Sequence, residues 1–451
     1  MKKRFLVSLT CIITVVMGTS LLAGCGSSSG QTSATPASQS STSTASQSSS
    51  NSSNTKSSYD QLLAEKDQLP LSGLQPLHLD SRASINKALP KTQKGNLTIG
   101  WTGASLGSSF FVQMMNSANA AAKQYGYKIN YQNANFDLQK QLTQIDTFIT
   151  QKVDVLVINA VDVKATTQYI KRAVDAGIPV IVTGPTAVQS DVPVVTTFLS
   201  GSYQPGWEVG IYTADKVYKA GQSLKVGFTA SDLGYADGNS RPDGFIGGYI
   251  YESHKLAGKP FANKYDAMLA GYNDWEKVKN DGKFNDTANG LDLVGIGVGG
   301  GTDPASGQKA ASDLLTAHPD INVLMVEEDS QLPGILTEIK QHNLVPGKDI
   351  KIVCGADGTK EAMDDIKAGT VLATASNTPN YDGAGIIDLI HRIFQENFDA
   401  NNLPANSYTP TVAITKENVD QYYDPNSDFA KSTPWQLQTI DQYNAANAGK
   451  Q

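Results

Sequence analysis

The chain has 451 residues, enough for more than one core at about 100–200 residues per domain. Its formal net charge is −7 and no basic run follows the first residues, which argues against nucleic acid as a partner.

Lys2, Lys3 and Arg4 precede an apolar stretch, Phe5 to Val16, that is too short for an ordinary membrane span. Leu22-Ala23-Gly24-Cys25 follows, and the arrangement resembles a bacterial lipoprotein signal, whose cysteine becomes the new N-terminus and carries lipid. The alternative is an ordinary cleaved signal in which Cys25 is incidental. Acyl chains such as palmitate on Cys25 supply about 0.8 kcal/mol per buried CH₂, and more than one chain anchors stably. Loss of residues 1–24 removes three positive and no acidic residues, taking the charge from −7 to −10. With Cys11 in the signal and Cys25 as the anchor, only Cys354 remains, so neither an internal disulfide nor a cysteine metal cluster can form. Cys354 lies in an apolar run and reads as a buried strand residue.

Residues 25–58 are almost entirely Ser, Thr, Gln, Ala and Asn and read as a disordered tether. Residues 59–94 carry recurring leucines broken by Pro70, Pro76 and Pro90, which predicts an extension packed on the main body.

From Gly95 onward strands and helices alternate. Leu97 to Thr102 reads as a strand, a small-residue turn follows, a helix opens on Phe110-Phe111 and ends at Gly126, and Tyr127 to Tyr131 is the next strand. Asp137 caps a helix bearing Leu138, Leu142, Ile145 and Ile149 on one face. Further strands are expected over 153–158, 178–182, 224–228, 291–298, 323–326, 350–354 and 371–375, with helices over 304–317 and 331–342. So many parallel strands divide naturally into two doubly wound lobes. Phe245 to Asn289, with Tyr265, Tyr272 and Trp275, reads as an inserted subdomain or lid.

Three motifs suggest chemistry. Gly103-Ala104-Ser105-Leu106-Gly107 matches the G-x-S-x-G nucleophile elbow, which would make Ser105 a serine hydrolase nucleophile. Against it, Ser108-Ser109 separate the serine from the helix, and every later histidine is poorly placed. Gly295 to Gly300 fits G-x-G-x-x-G, but Asp320 is not at the end of the following strand, and a flexible loop is preferred. Glu327-Glu328-Asp329 at a strand end reads as a hydrogen-bonding site or solvated loop before a cation site. No P-loop, zinc motif or helix-turn-helix stands out, so no cofactor or metal is expected.

Over most of 95–414 the chain resembles the type I periplasmic binding proteins, in particular the ribose-binding-protein-like group that serves sugar importers. Phe110-Phe111, Ile178-Pro179-Val180-Ile181, Arg241-Pro242-Asp243-Gly244-Phe245, Leu314 to Asp320 and Gly355-Ala356-Asp357-Gly358-Thr359 carry the likeness by their order and spacing. The resemblance implies an α/β fold of two doubly wound parallel-sheet lobes joined by three crossovers, expected near 199–203, 377–379 and 403–408. The lobes would comprise 95–201 plus 378–402 and 202–377 plus 403–445, the latter with its insertion near 245–289. It implies no enzyme. Instead it implies a monomeric, lipid-anchored protein on the extracytoplasmic face of the cell membrane that delivers a small polar ligand, a sugar, to the membrane subunits of an ABC importer. Ligand sensing for a receptor or histidine kinase keeps the same fold with a different output.

By the same resemblance, Phe110 and Phe111 stack on the ligand, Arg241 donates in bidentate fashion, Asp357 accepts from hydroxyls and Asn377 is a hinge amide. Ser105 and Ser108 of the first loop are further candidate contacts, as is Glu328. The chain departs from the pattern at Gly184-Pro185, where an Asp-Arg pair is common, at Ala104 and Ser108, and at Glu328, where an amide is common. Glu328 and Asp357 together would favour a ligand with an amine or many hydroxyl donors.

Overall fold

The structure, a computed structural model, describes residues 56–433 and 435–449. The signal-like segment, Cys25 and nearly all of the expected tether lie outside the described residues. Among those described, no helix is long and apolar enough to cross a membrane.

A short helix, α1 (Ser58–Ala64), opens the described chain. The first α/β run is β1 (Thr98–Gly103), α2 (Ser109–Tyr125), β2 (Lys128–Asn133), α3 (Leu138–Gln151), β3 (Val155–Asn159), α4 (Val163–Asp175), β4 (Val180–Gly184) and β5 (Thr197–Leu199). Its helix ends follow from local chemistry. Gly126 closes α2 in the left-handed region at φ 74°. The Asp137 and Asp162 side chains accept from Lys140 N and Ala165 N, capping α3 and α4.

The second run is α5 (Tyr203–Val217), β6 (Leu224–Ala230), α6 (Asp237–Leu256), α7 (Lys264–Asp281), β7 (Phe284–Asp286), β8 (Leu291–Val298), α8 (Pro304–Ala317), β9 (Val323–Val326), α9 (Leu332–Gln341), β10 (Lys351–Cys354), α10 (Lys360–Ala368) and β11 (Ala373–Ala375). It is followed by α11 (Ile386–Gln395), β12 (Asn406–Tyr408), β13 (Ala413–Thr415), α12 (Val419–Tyr422) and α13 (Ile440–Asn447).

The strands form two sheets, ordered β12-β5-β4-β3-β1-β2 and β13-β11-β10-β9-β6-β8-β7. All pairs in the first sheet are parallel. In the second, only the edge pairs β7–β8 and β11–β13 are antiparallel. Each sheet lies between two apolar layers, as a parallel sheet fed by helical crossovers must. The chain passes between the sheets three times, after β5, after β11 and between β12 and β13.

Two expectations differ from this arrangement. Residues 403–408 are not the third passage: Asn406–Tyr408 pairs in parallel with β5 as an edge strand of the first sheet, so that passage is 409–412. A three-residue edge strand has no hydrophobic pattern to betray it. Nor do 245–289 form a lid. They supply the rest of α6, then α7 and β7, and Tyr265, Tyr272 and Trp275 are buried in the second lobe's core. Cys354 is buried, as expected.

The extension at 59–94 has partners in both lobes. Leu62 and Leu71 belong to the apolar cluster of α5–α7, whereas Ile85 and Ala88 are buried with the first sheet. Between them Ser72 donates to the carbonyl of Pro185, and Tyr203 N donates to Ser72 O.

Candidate functional site

The loops after the parallel strands of the two sheets meet at the junction of the lobes, where Phe136 after β2 packs on Tyr235 after β6, and doubly wound folds bind ligands at such strand ends. Glycine-based packing sets the position of Arg241. A Cβ on Gly206 would lie 2.0 Å from the carbonyl oxygen of Arg241, and one on Gly244 would lie 2.3 Å from that of Tyr203, so α5 and α6 run in backbone contact. That contact aims Arg241 at the first passage. Its Nε donates to Gly201 O at 2.6 Å, and Nη1 donates to Glu327 O at 3.1 Å. Gly201 has φ +73° and a Cβ there would strike Asn377 Nδ2 at 2.4 Å, so only glycine fits.

Four carboxylates surround the guanidinium, whose side chain is 3% exposed. Asp237 Oδ2 and Glu328 Oε2 each lie 3.6 Å away and Asp357 Oδ1 lies 3.8 Å away. Glu327 is turned toward Ser231, accepting from its backbone N and from its hydroxyl. Asp329 holds the two carboxylate-bearing loops together: its N donates to Ala356 O, and its carboxylate accepts from Thr359 N and the Thr374 hydroxyl. Asn377 Nδ2 donates to Asp357 Oδ1 at 3.0 Å, and Asn377 N donates to Asp357 O. The Asn377 Oδ1 and Asp237 Oδ1 atoms are buried without a hydrogen-bond partner among the described residues.

The electrostatics follow from this crowding. Burial alone would lower the Arg241 pKa, but Asp237, Asp357, Glu328 and Glu327 together raise it, so the guanidinium is a fixed cation. Burial pushes the Asp237, Glu327, Glu328 and Asp357 carboxyls upward, with Arg241 opposing in every case. The second lobe thus presents one cation among four carboxyl groups.

Phe110 and Phe111 occupy the first turn of α2 on the other side and are half-buried. Phe110 meets Phe429 edge-on, with ring centroids 6.2 Å apart, and Phe429 pairs with Thr359, two residues past Asp357. Phe111 packs on Phe136, and Phe136 on Tyr235 of the second lobe. A row of aromatic rings therefore crosses between the lobes twice. Ser105 is buried and its hydroxyl accepts from Gly107 N, while Ser108 stands before α2 with no capping bond.

The structure thus brings Arg241, Glu328, Asp357 and Asn377 into one cluster. It links Phe110 and Phe111 to that cluster through Phe429, and gives Ser105 and Ser108 no hydrogen bond to it among the described residues. As a nucleophile elbow the first turn fails: the helix opens at Ser109, and no histidine bonds Ser105 among the described residues. His254, His342 and His391 are held by Asn289, Glu338 and Tyr127 instead. Two glycines of 295–300 serve packing, since Cβ atoms at Gly297 and Gly299 would meet the backbone of α8. No group of three or more metal-ligating side chains occurs among the described residues.

Sequence reasoning missed Asp237, Ser231, Glu327 as a backbone acceptor, and Phe429. Asp237 stands four residues before Arg241 on α6, a spacing that signals a same-face ion pair. Phe429 is about seventy residues from the loop it joins, and nothing local marks it.

Comparison with known proteins identifies the family and fold. A family model described as "Periplasmic binding protein domain" matches residues 99–397. The chain belongs to this family. It is 27% identical over 290 residues to the ribose import binding protein of Bacillus subtilis, covering 64% of this chain and 79% of that protein. It is 24% identical over 317 residues to the ribose import binding protein of Salmonella typhimurium, covering 70% of this chain and 91% of that protein. Among solved structures, an ABC transporter solute binding protein from Mycobacterium smegmatis with bound glycerol superposes with a TM-score of 0.58 at 25% identity, covering 75% of this chain and 100% of that one.

Proposed function

We propose that this chain is an extracytoplasmic solute-binding protein that closes on a small polar ligand, a sugar, and delivers it to the membrane subunits of an ABC importer. The observation carrying this reading is the buried Arg241, which touches the first interlobe passage and is ringed by carboxyl groups from α6 and from the loops after β9 and β10. A guanidinium and carboxylates held in fixed geometry suit vicinal hydroxyls, and Phe110 and Phe111 supply apolar faces for the C–H side of a sugar ring. Binding energy gained only when both lobes touch the ligand selects the closed form, which the importer then recognises. Relatives named for ribose import support the sugar class.

The anchor is Cys25, acylated after removal of residues 1–24, with the body held on the outer face as a monomer. In this role the chain catalyses no reaction.

A thermal-shift panel of monosaccharides, polyols, nucleosides and amino sugars on the purified mature protein tests the reading. A ligand at a hundred times its Kd stabilises by about 2.7 kcal/mol, which appears as a raised Tm, and Arg241→Ala removes the shift. A panel with no response from any carbohydrate overturns the sugar assignment. Retention in the membrane fraction, lost in Cys25→Ser, checks the anchor.

A further inference from the structure

Resting on the solute-binding reading, we infer that the ligand of this site bears a protonated amine, as an aminodeoxy sugar or amino-polyol does, and that Glu328, Asp357 and Asp237 receive it. The argument begins with an imbalance of charge. Among the described residues Arg241 is the one cation facing four carboxyl groups, and its Nε and Nη1 already donate to the carbonyls of Gly201 and Glu327. Glu327 has its own partner in Ser231. The other three approach the guanidinium no closer than 3.6 Å, beyond hydrogen-bond distance.

The second observation concerns unfilled acceptors. Asn377 is only 7% exposed, and its amide nitrogen donates into Asp357, yet its Oδ1 has no partner. Asp237 Oδ1 is likewise buried and unpartnered. A buried acceptor left unpaired is costly, so a ligand that brings donors recovers that penalty. Hydroxyls supply donors but no charge. An ammonium supplies three donors and the missing positive charge on one atom, which is the chemistry a surplus of buried carboxyls matches.

Burial raises the affinity of Asp237, Glu328 and Asp357 for protons, with Arg241 opposing, and a ligand ammonium competes with those protons as an uncharged hydroxyl does not.

The test is calorimetric titration of the mature protein with matched pairs. Aminodeoxy pentoses, aminodeoxy hexoses and inosamines are each compared with the parent sugar or inositol and with the N-acetyl derivative, which keeps the nitrogen but removes its charge. The expected result is at least one amine bound about tenfold or more tighter than both its hydroxyl parent and its N-acetyl form. In Glu328→Gln the ratio of amine to hydroxyl affinity should fall towards one. A hydroxyl parent bound as tightly as its amine, or a preference that Glu328→Gln leaves intact, overturns the inference. If a hydroxyl sugar binds in an Arg241-dependent way without any amine preference, the solute-binding reading stands and this inference fails. If neither series binds, the sugar assignment fails together with this inference. The comparison of amine with N-acetyl derivative uses the parent protein alone and does not depend on a variant folding.

Discussion

At the scale of single residues, two buried ionisable groups carry most of the site's physical interest. Arg241 serves two carbonyls on different elements, Gly201 on the first passage and Glu327 after β9, through two nitrogens of one planar group. Lysine has one nitrogen and cannot reproduce that fork. Arg241→Lys is therefore expected to lower stability by about 1.5–3 kcal/mol in urea denaturation and to weaken ligand binding at least about tenfold. Unchanged values of both would remove Arg241 from the centre of the site. The second group is Asp382, which accepts from the Ser200 hydroxyl at 2.7 Å and so ties the passage after β5 to the one after β11. Burial holds its carboxyl at about 7, with the Ser200 hydrogen bond and the nearby Thr183 hydroxyl opposing. The unfolded value is about 3.9, so between roughly pH 4 and 7 the folded chain keeps a proton that the unfolded chain releases. Its stabilising contribution is fully present below about pH 4 and is lost as pH rises through about 7, at up to about 1.4 kcal/mol per pH unit. Asp382→Asn mimics the protonated acid and should raise Tm at pH 8 while leaving it nearly unchanged at pH 4.5. Parallel Tm curves for parent and variant across that range would rule out this role. Sequence alone suggested neither Asp382 nor Asp237, because each is defined by what packs over it. Arg241, Glu328, Asp357 and Asn377 came from the family resemblance, and the structure brings them into one cluster.

Elements were legible where local chemistry is strong. β8, β9 and α8 coincide with the sequence expectation residue for residue, since β-branched runs and an Asp303-Pro304 helix start speak for themselves. The three-residue strands β5, β7, β12 and β13 went unseen because so short a run carries no pattern of its own; β12 and β13 are created by partners far away in sequence, while β7 folds back on the adjacent β8. Misreading α6 and α7 as an insertion has a related cause: their aromatic residues mark a core, but only the α5–α6 contact reveals which one. That contact is the element on which the site depends. Gly206 and Gly210 of α5 face the backbone of Arg241 and Phe245, and Gly244 and Gly248 of α6 face Tyr203 and Trp207. Gly206→Ala must force the helices apart, costing about 1–3 kcal/mol and moving Arg241 off its carbonyl partners. Thermal denaturation should show the loss and titration a matching drop in affinity. Gly95→Ala, where an added Cβ meets nothing within 4 Å, serves as the control and should be near neutral.

Considered as a whole molecule, the protein has more joining its lobes than three passages. The N-terminal extension runs from the second lobe's core at Leu62 and Leu71 to the first lobe's at Ile85, where Arg82 donates to the carbonyls of Val194 and Val195. The C-terminal segment runs from Phe429 beside Thr359 to Trp435, which packs against Phe198 and Tyr381 of the first lobe. The two segments then fasten to each other: Asn444 exchanges two hydrogen bonds with Leu79, and the Tyr443 hydroxyl donates to Pro76 O at 2.7 Å. Contacts that cross between lobes and are strained or broken on opening must favour the closed arrangement. Apparent affinity for a ligand that binds the closed form scales with the fraction of molecules already closed. A chain ending at Ala430 loses Trp435, Tyr443 and Asn444 while keeping Phe429, and so separates this bracing from the site itself. It should show a larger radius of gyration than the full chain by small-angle scattering without ligand, and the same radius with saturating ligand. Its Kd should rise by about tenfold for each 1.4 kcal/mol by which the segment favours closure. Identical scattering and identical Kd would mean that the segment rides on one lobe as the other moves, and that closure is set by the three passages alone.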